Sequence, residues 1–304
     1  MKQIEALGFI GFGEVAFNMS QGFIDDGIKT IYAFDKFAFE ASDAGELIRK
    51  RAKQAGVTLV SSSEELAKKC QVIFSTVVAK VAVLIAKQMV PHLTANHLFI
   101  DANSASPELK KEISEVIGQS DALFSDCAIM AAIRKFRNRV PILADGNGAE
   151  TFKLWLSPYG MEITDLGTNV GKASAVKMLR SVFTKGYVGL MFEMLVAADK
   201  YDAVDMILDL FSATWDKNSF KESVDIYMTG GVIHALRRGN EMTEVIKTLD
   251  SMGFSSEMSE AAQKKLRWAH ELGIKEHFKG EMPENTREVL DAFKLLIEQQ
   301  KEMK

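Results

Sequence analysis

Ile4-Glu5-Ala6-Leu7-Gly8-Phe9-Ile10-Gly11-Phe12-Gly13-Glu14-Val15-Ala16 is the stretch on which the fold turns. Ile4, Leu7, Phe9 and Ile10 make an apolar run of strand length, and Gly11 to Ala16 fits G-x-G-x-x-G/A at its end. Gly11 permits a sharp turn, Gly13 lets the backbone approach a pyrophosphate, and Ala16 is small enough for a helix to pack on the strand. Free N–H groups and the positive end of the helix dipole at Glu14, Val15 and Ala16 then face the phosphates. The hexamer alone is weak, because Gly-x-Gly also occurs in ordinary turns. Its context strengthens it: a second apolar run, Thr30-Ile31-Tyr32-Ala33-Phe34, ends in Asp35, 22 residues after Gly13. An acid there accepts from the ribose hydroxyls of an adenine dinucleotide and repels a 2′-phosphate, which inclines the site toward NAD. Lys36 follows directly and blurs the preference, so NADP stays open.

Outward from this unit, strands and helices alternate. Helices are expected at 41–55, 63–69 and 81–89, with strands at 57–60, 71–78, 97–101, 122–126, 140–144 and 161–164. The pattern predicts a doubly wound, mainly parallel α/β sheet over residues 1–166. In such sheets ligands lie beyond the carboxyl ends of the strands. That rule adds Ser75, Thr76, Val77 and Asn103 to Gly11, Phe12, Gly13, Glu14, Val15, Asp35 and Lys36 as candidate dinucleotide contacts, with Ser104 toward the substrate. Ser106, before Pro107, reads equally as an ordinary helix N-cap.

From Thr168 the periodicity is helical, and residues 167–304 are expected to form an all-α domain. The segment 171–198 is apolar almost all around, which calls for burial centrally or between subunits. Further helices are expected at 202–214, 221–238, 241–252, 257–272 and 284–300.

The chain has 304 residues, 47% hydrophobic and 26% charged, with net charge −4, which fits an ordinary globular protein of about two domains. No cluster of Lys and Arg with interleaved aromatics suggests nucleic acid or an anionic membrane. The run Arg134-Lys135-Phe136-Arg137-Asn138-Arg139 is short, and reads as a solvated loop or an anion contact at a domain edge. Cys70 and Cys127 lie far apart without partners for a disulfide or zinc, and are expected as buried thiols in a reducing cytoplasm. No metal site is expected. No stretch holds about 18 uninterrupted apolar residues, so the apolar start reads as a strand and no membrane is expected as partner.

Lys177, Arg180, Ser181 and Thr184 are spaced i, i+3, i+4, i+7 and form one polar stripe on an otherwise apolar helix. Burying such a stripe is costly without partners or a task. A lysine there can have its ammonium pKa lowered by desolvation, which suits proton exchange with a hydroxyl or carbonyl. By spacing alone, a structural ion pair fits as well as catalysis.

Together these stretches resemble the β-hydroxyacid dehydrogenase family, which includes 6-phosphogluconate and 3-hydroxyisobutyrate dehydrogenases. Its opening G-F-I-G-x-G-x-M-G is matched by Gly8 to Ala16, and its catalytic G-x-G-x-x-x-K-x-x-N-N resembles Gly171 to Ser181. The D-x-S-T loop resembles Asp101-Ala102-Asn103-Ser104, and the D-A-P-V-S-G-G substrate loop resembles Asp126 to Ala132. The resemblance implies an N-terminal Rossmann domain, a long interdomain helix, an all-α domain used in homodimerisation, and Lys177 as general acid/base. It departs where Arg180 and Ser181 replace two asparagines and Met130 replaces a serine. Arg180 offers a fork suited to a carboxylate or phosphate, so an acidic small-molecule substrate is expected, held by Ser104, Met130, Ala131, Arg180 and Ser181. The segment His234-Ala235-Leu236-Arg237-Arg238-Gly239-Asn240-Glu241-Met242 resembles a motif of phosphogluconate-dehydrogenase-like C-terminal domains. His234 is then a candidate substrate contact from the same or a partner subunit, with helix packing as the alternative.

The expected activity is NAD(P)-dependent hydride transfer to or from a small β-hydroxy acid. An imine reductase of related fold, or an NAD(H) sensor without turnover, are the competing readings. A flavin protein fits less well, because the helical second half offers no β domain for an isoalloxazine.

Overall fold

The computed structural model describes residues 4–302. Its first unit is built on an eight-stranded sheet. The central strand β1 (Leu7–Ile10) pairs in parallel with β2 (Ile31–Phe34) on one side and β4 (Val72–Ser75) on the other, Leu7 lying opposite both Ile31 and Val72. Adding β3 (Thr58–Leu59), β5 (Leu98–Asp101), β6 (Leu123–Ile129), β7 (Ile142–Asp145) and β8 (Ile163–Asp165) gives the order β3-β2-β1-β4-β5-β6-β7-β8. Among the described residues only the β6–β7 pairing is antiparallel. The order reverses between β1 and β4, and a crevice opens there at the carboxyl ends of the strands.

The middle strands are apolar on both faces because helices cover both. Phe9 stacks on Phe74 at 5.4 Å between ring centroids, and Phe23 and Phe152 pack on the same ring. Each such buried ring stabilises the fold by about 1.5–3 kcal/mol. Helix α1 (Glu14–Asp25) crosses on Ala16, which is fully buried as the close helix–strand contact requires. Helices α2 (Asp43–Gln54), α3 (Ser63–Lys69) and α5 (Pro107–Ile117) are capped by Ser42, Ser62 and Ser106, each accepting an N–H from three residues ahead. Helix α4 (Ala79–Met89), the short α6 (Ile133–Phe136) and α7 (Ala149–Leu156) complete the unit.

The basic run after β6 is largely exposed, as a solvated loop would be, and its three arginines are also paired. Arg134 pairs with Glu14, Arg137 with Asp25 and Arg139 with Asp26, fastening this segment to α1.

Helix α8 (Lys172–Asp199) follows, and the chain divides into compact units inside it, 1–181 and 182–304. This boundary lies beyond residue 166, because the first turns of α8 are hydrogen-bonded to β6 and β7. By length and composition α8 would also cross a membrane, the one such helix among the described residues. It is not buried centrally within the chain: most of its apolar side chains are exposed, Val182 at 74% and Phe192 at 70%.

The second unit adds α9 (Val204–Trp215), α10 (Phe220–Ile233), α11 (Ala235–Ser251), α12 (Glu257–Glu271), α13 (Ile274–His277) and α14 (Thr286–Glu302). Its core gathers Val232, Ile233, Ala269, Ile274, Val289 and Ala292. Ser219 and Glu222 close a reciprocal capping box at the start of α10. The expected break between 238 and 241 is absent; the chain turns at His234 instead, and α11 runs through Gly239 and Asn240. Gly239 faces α12, where a Cβ would make ordinary contact with Leu266 and Arg267.

Candidate active site

Gly11 occupies the left-handed region at φ +81°, and a Cβ there would stand 2.8 Å from the Thr76 carbonyl oxygen. Thr76 locks the turn from the other side, its hydroxyl donating to the Gly11 carbonyl at 2.7 Å. Asp35, at the end of β2, accepts from Phe12 N at 2.8 Å and Phe37 N at 3.0 Å. A carboxylate has about four lone-pair sites, so capacity remains for ribose hydroxyls. Lys36 is exposed, its ammonium 4.4 Å over the Phe37 ring. Glu14 puts a negative charge at the start of α1, and the Arg134 guanidinium hydrogen-bonded to it holds its carboxyl below the usual range.

Three observations fit a bound dinucleotide. A Cβ on Gly13 would meet nothing within 4 Å, so the space before the turn is open. No side chain caps the N-terminus of α1, which leaves its first N–H groups to an anion. Asn103 Oδ1 is buried and lacks a hydrogen-bond partner among the described residues. The Asn103 amide is oriented by its NH₂ group, which donates to Ser75 Oγ at 3.0 Å and Asp101 Oδ2 at 2.7 Å.

Val15, Thr76, Val77, Asn103, Ser104, Ala131 and Lys177 come together around one cavity of about 520 Å³ at the strand tips. Ala102, Ile129 and Ile133 also line it. Lys177 is half-buried, and burial holds its ammonium below the ordinary lysine value. The nearby Lys110 charge acts in the same direction, while Cys127 and Asp126 oppose it.

Ser75 lies beneath the cavity, fully buried. Met130, Arg180 and Ser181 do not line it. Met130 N donates to Pro141 O at 2.9 Å and its carbonyl accepts from Arg180 at 2.7 Å, so that backbone is already engaged. Ser181 Oγ donates to Lys177 O at 3.0 Å, a bond within its own helix. His234 lies in the second unit, where it lines another cavity, of about 670 Å³, with Arg237, His270 and Lys275.

Sequence reasoning missed the charges under the cavity. Lys110 on α5, 1% exposed, is paired with Asp101 at the end of β5 and, at 2.9 Å, with Asp126 on β6. Asp126 Oδ2 also accepts from Ser174 N at 3.2 Å and Ser174 Oγ at 2.5 Å. Asp145, on β7, accepts from Gly171 N at 3.2 Å and Ala173 N at 2.7 Å. Two carboxylates thus cap the start of α8, where the helix dipole favours them. Burial raises the Asp145 pKa despite these bonds. The signal for Lys110 was its register: with Ile113, Val116 and Ile117 it falls on the buried face of α5.

Cys70 and Cys127 are both buried and free, and burial pushes each thiol up to about 12. Neither is a nucleophile near neutral pH.

Residues 6–154 match the NAD binding domain of 6-phosphogluconate dehydrogenase, and residues 198–269 match a domain of unknown function, DUF1932. An uncharacterized 28.5 kDa protein of Methanothermus fervidus is 32% identical over 244 residues, 79% of this chain and 89% of its own. A conserved protein of unknown function, described as structurally similar to 3-hydroxyacid dehydrogenases, is 32% identical across 87% of this chain and 98% of its own, with TM-score 0.57. The chain belongs to the β-hydroxyacid dehydrogenase family. An imine reductase of Myxococcus stipitatus, solved as a variant with NAD+, shares the fold of this β-hydroxyacid dehydrogenase relative at TM-score 0.70 and 18% identity, over 90% of this chain and 95% of its own. The first unit of this family member is an NAD-binding Rossmann domain, the fold its opening glycine turn implied.

Proposed function

We propose that this β-hydroxyacid dehydrogenase family member is an NAD(P)-dependent oxidoreductase acting on a small β-hydroxy acid or a related acidic carbonyl compound, with Lys177 as general acid/base. The observation that carries the proposal is the half-buried Lys177 amine, with its depressed pKa, in one cavity with Thr76, Val77, Asn103 and Ser104. The dinucleotide, when bound, supplies the hydride acceptor or donor. The glycine turn and the start of α1 hold its phosphates, and Asn103 Oδ1 offers an acceptor to an amide N–H. Lys177 takes the hydroxyl proton in oxidation and returns it in reduction. Ser104 stands exposed at the cavity wall as a hydroxyl partner for substrate.

An imine substrate is the second reading. It is favoured by the Ser181 hydroxyl, which is engaged with its own helix and so orients no substrate hydroxyl. Fluorescence-detected NADH and NADPH binding, followed by hydroxy-acid, amine and imine panels, separates the two. Absence of binding by either dinucleotide sinks the proposal; tight binding without turnover of any panel member supports a sensor.

NAD is the preferred cofactor in this proposal. Asp35→Ser should narrow the NADH-over-NADPH preference by about tenfold, or ~1.4 kcal/mol, in paired fluorescence titrations. An unchanged ratio removes Asp35 as the selector.

We also propose a cytoplasmic homodimer formed through the helical unit. Val182 and Phe192 are exposed, and Phe183, Leu190, Met194, Phe211 and Trp215 line an apolar cavity of about 990 Å³ in the second unit. Apolar exposure on that scale exceeds what a monomer ordinarily leaves to water. Light scattering should give twice the chain mass, and Phe192→Glu should shift it toward the monomer. A monomeric wild type rejects the dimer.

A further inference from the structure

Lys110 is the one lysine of α5 that points inward, and it reaches two carboxylates at the tips of adjacent strands. We infer that Lys110 is a positioning residue for Lys177: through Asp126 it fixes the first turns of the helix carrying that amine, and its charge contributes to the field there. This rests on the reading of Lys177 as the acid/base group.

The geometry runs as one chain of contacts. Lys110 Nζ donates to the Asp101 carbonyl at 2.8 Å and pairs with the carboxylates of Asp101 and Asp126. Those contacts place one buried ammonium between two buried carboxyl groups. Asp101 Oδ2 accepts from the Asn103 NH₂, which fixes the amide at the cavity wall. Asp126 uses its second oxygen to accept from Ser174 N and Oγ, one turn before Lys177. Lys110 thereby holds two walls of the cavity without lining it.

The charged and titratable groups acting on Lys177 are Lys110 on α5 and Asp126 and Cys127 on β6. Lys110 lowers its proton affinity and Asp126 raises it, so substitutions at the two positions should move Lys177 in opposite directions. A purely structural role would loosen the site in both variants and give no opposed pair.

The test needs no substrate. Trace acetylation with acetic anhydride across pH, read at the Lys177 peptide by mass spectrometry, gives the titration midpoint of that amine in the full-length protein. In Lys110→Met the midpoint should rise by ~0.5–1 pH unit, and in Asp126→Asn, which is isosteric and keeps an oxygen for Ser174, it should fall by a similar amount. Midpoints equal to wild type, or shifts in the same direction, overturn the inference. If circular dichroism shows Lys110→Met unfolded, Asp126→Asn decides alone: a lowered midpoint supports the inference, and an unchanged or raised one rejects it. Full turnover by Lys177→Ala would instead reject the acid/base reading, an outcome independent of these midpoints.

Discussion

Lys177→Ala should lower turnover about 10²- to 10⁴-fold, the range that a positioned proton-transfer group contributes, with NADH affinity nearly unchanged. Stopped-flow turnover beside a fluorescence titration of NADH checks both halves. The affinity should survive because the glycine turn, Asp35 and the start of α1 form from residues remote in sequence from Lys177. The pH dependence follows from the same amine. Burial holds its ammonium below the ordinary value of 10.5, so the base form appears at lower pH than in a solvated lysine. The oxidation rate should rise with pH through that depressed value and level off before 10.5, while reduction, which needs the ammonium, should fall over the same window. Lys177→Ala should lose this limb. Retention of full turnover with an unaltered profile would take Lys177 out of the chemistry.

Lys110→Ala should cost about 3–5 kcal/mol of stability, because it leaves Asp101 and Asp126 as buried charges without their counter-ion. Urea unfolding measures the loss as a lower midpoint. The pH dependence has a definite sign. Desolvation pulls the Lys110 pKa down, but attraction to Asp101 and Asp126 outweighs it, and the folded-state value lies above 10.5. The folded chain therefore holds this proton more tightly than the unfolded chain. Its stabilising contribution is complete below 10.5 and is lost as pH rises through the elevated folded value. Wild type should weaken steeply in strong alkali, and Lys110→Ala should show less of that decline. A loss under 1 kcal/mol would mean that water or a neighbouring group compensates the carboxylates.

The sheet unit was legible because its signals are local. A strand, a glycine turn and an acid at the end of the second strand each lie within a few residues of what they determine. The strand tips carrying Thr76, Val77, Asn103 and Ser104 followed from topology, and they do surround the cavity with Lys177. Met130, Arg180 and Ser181 were harder to place, because spacing along a helix gives direction but not whether a neighbouring backbone takes the hydrogen bonds first. Lys110 was hidden by its type, since a lysine on a helix is read as solvated unless its register with Ile113 and Ile117 is checked. The turn at His234 was missed because Gly239 and Asn240 look like a helix end, whereas α11 runs through both. The apolar surface of α8 stays exposed in the single chain, and periodicity marks it only as a demand for cover.

The two shielded thiols have a practical consequence. With Cys70 and Cys127 silent toward alkylating reagents near neutral pH, the native chain is already a blank background for maleimide chemistry. Two cysteines introduced at exposed positions would alone take up a donor and an acceptor fluorophore, so distances across the helical unit become measurable without removing any natural residue.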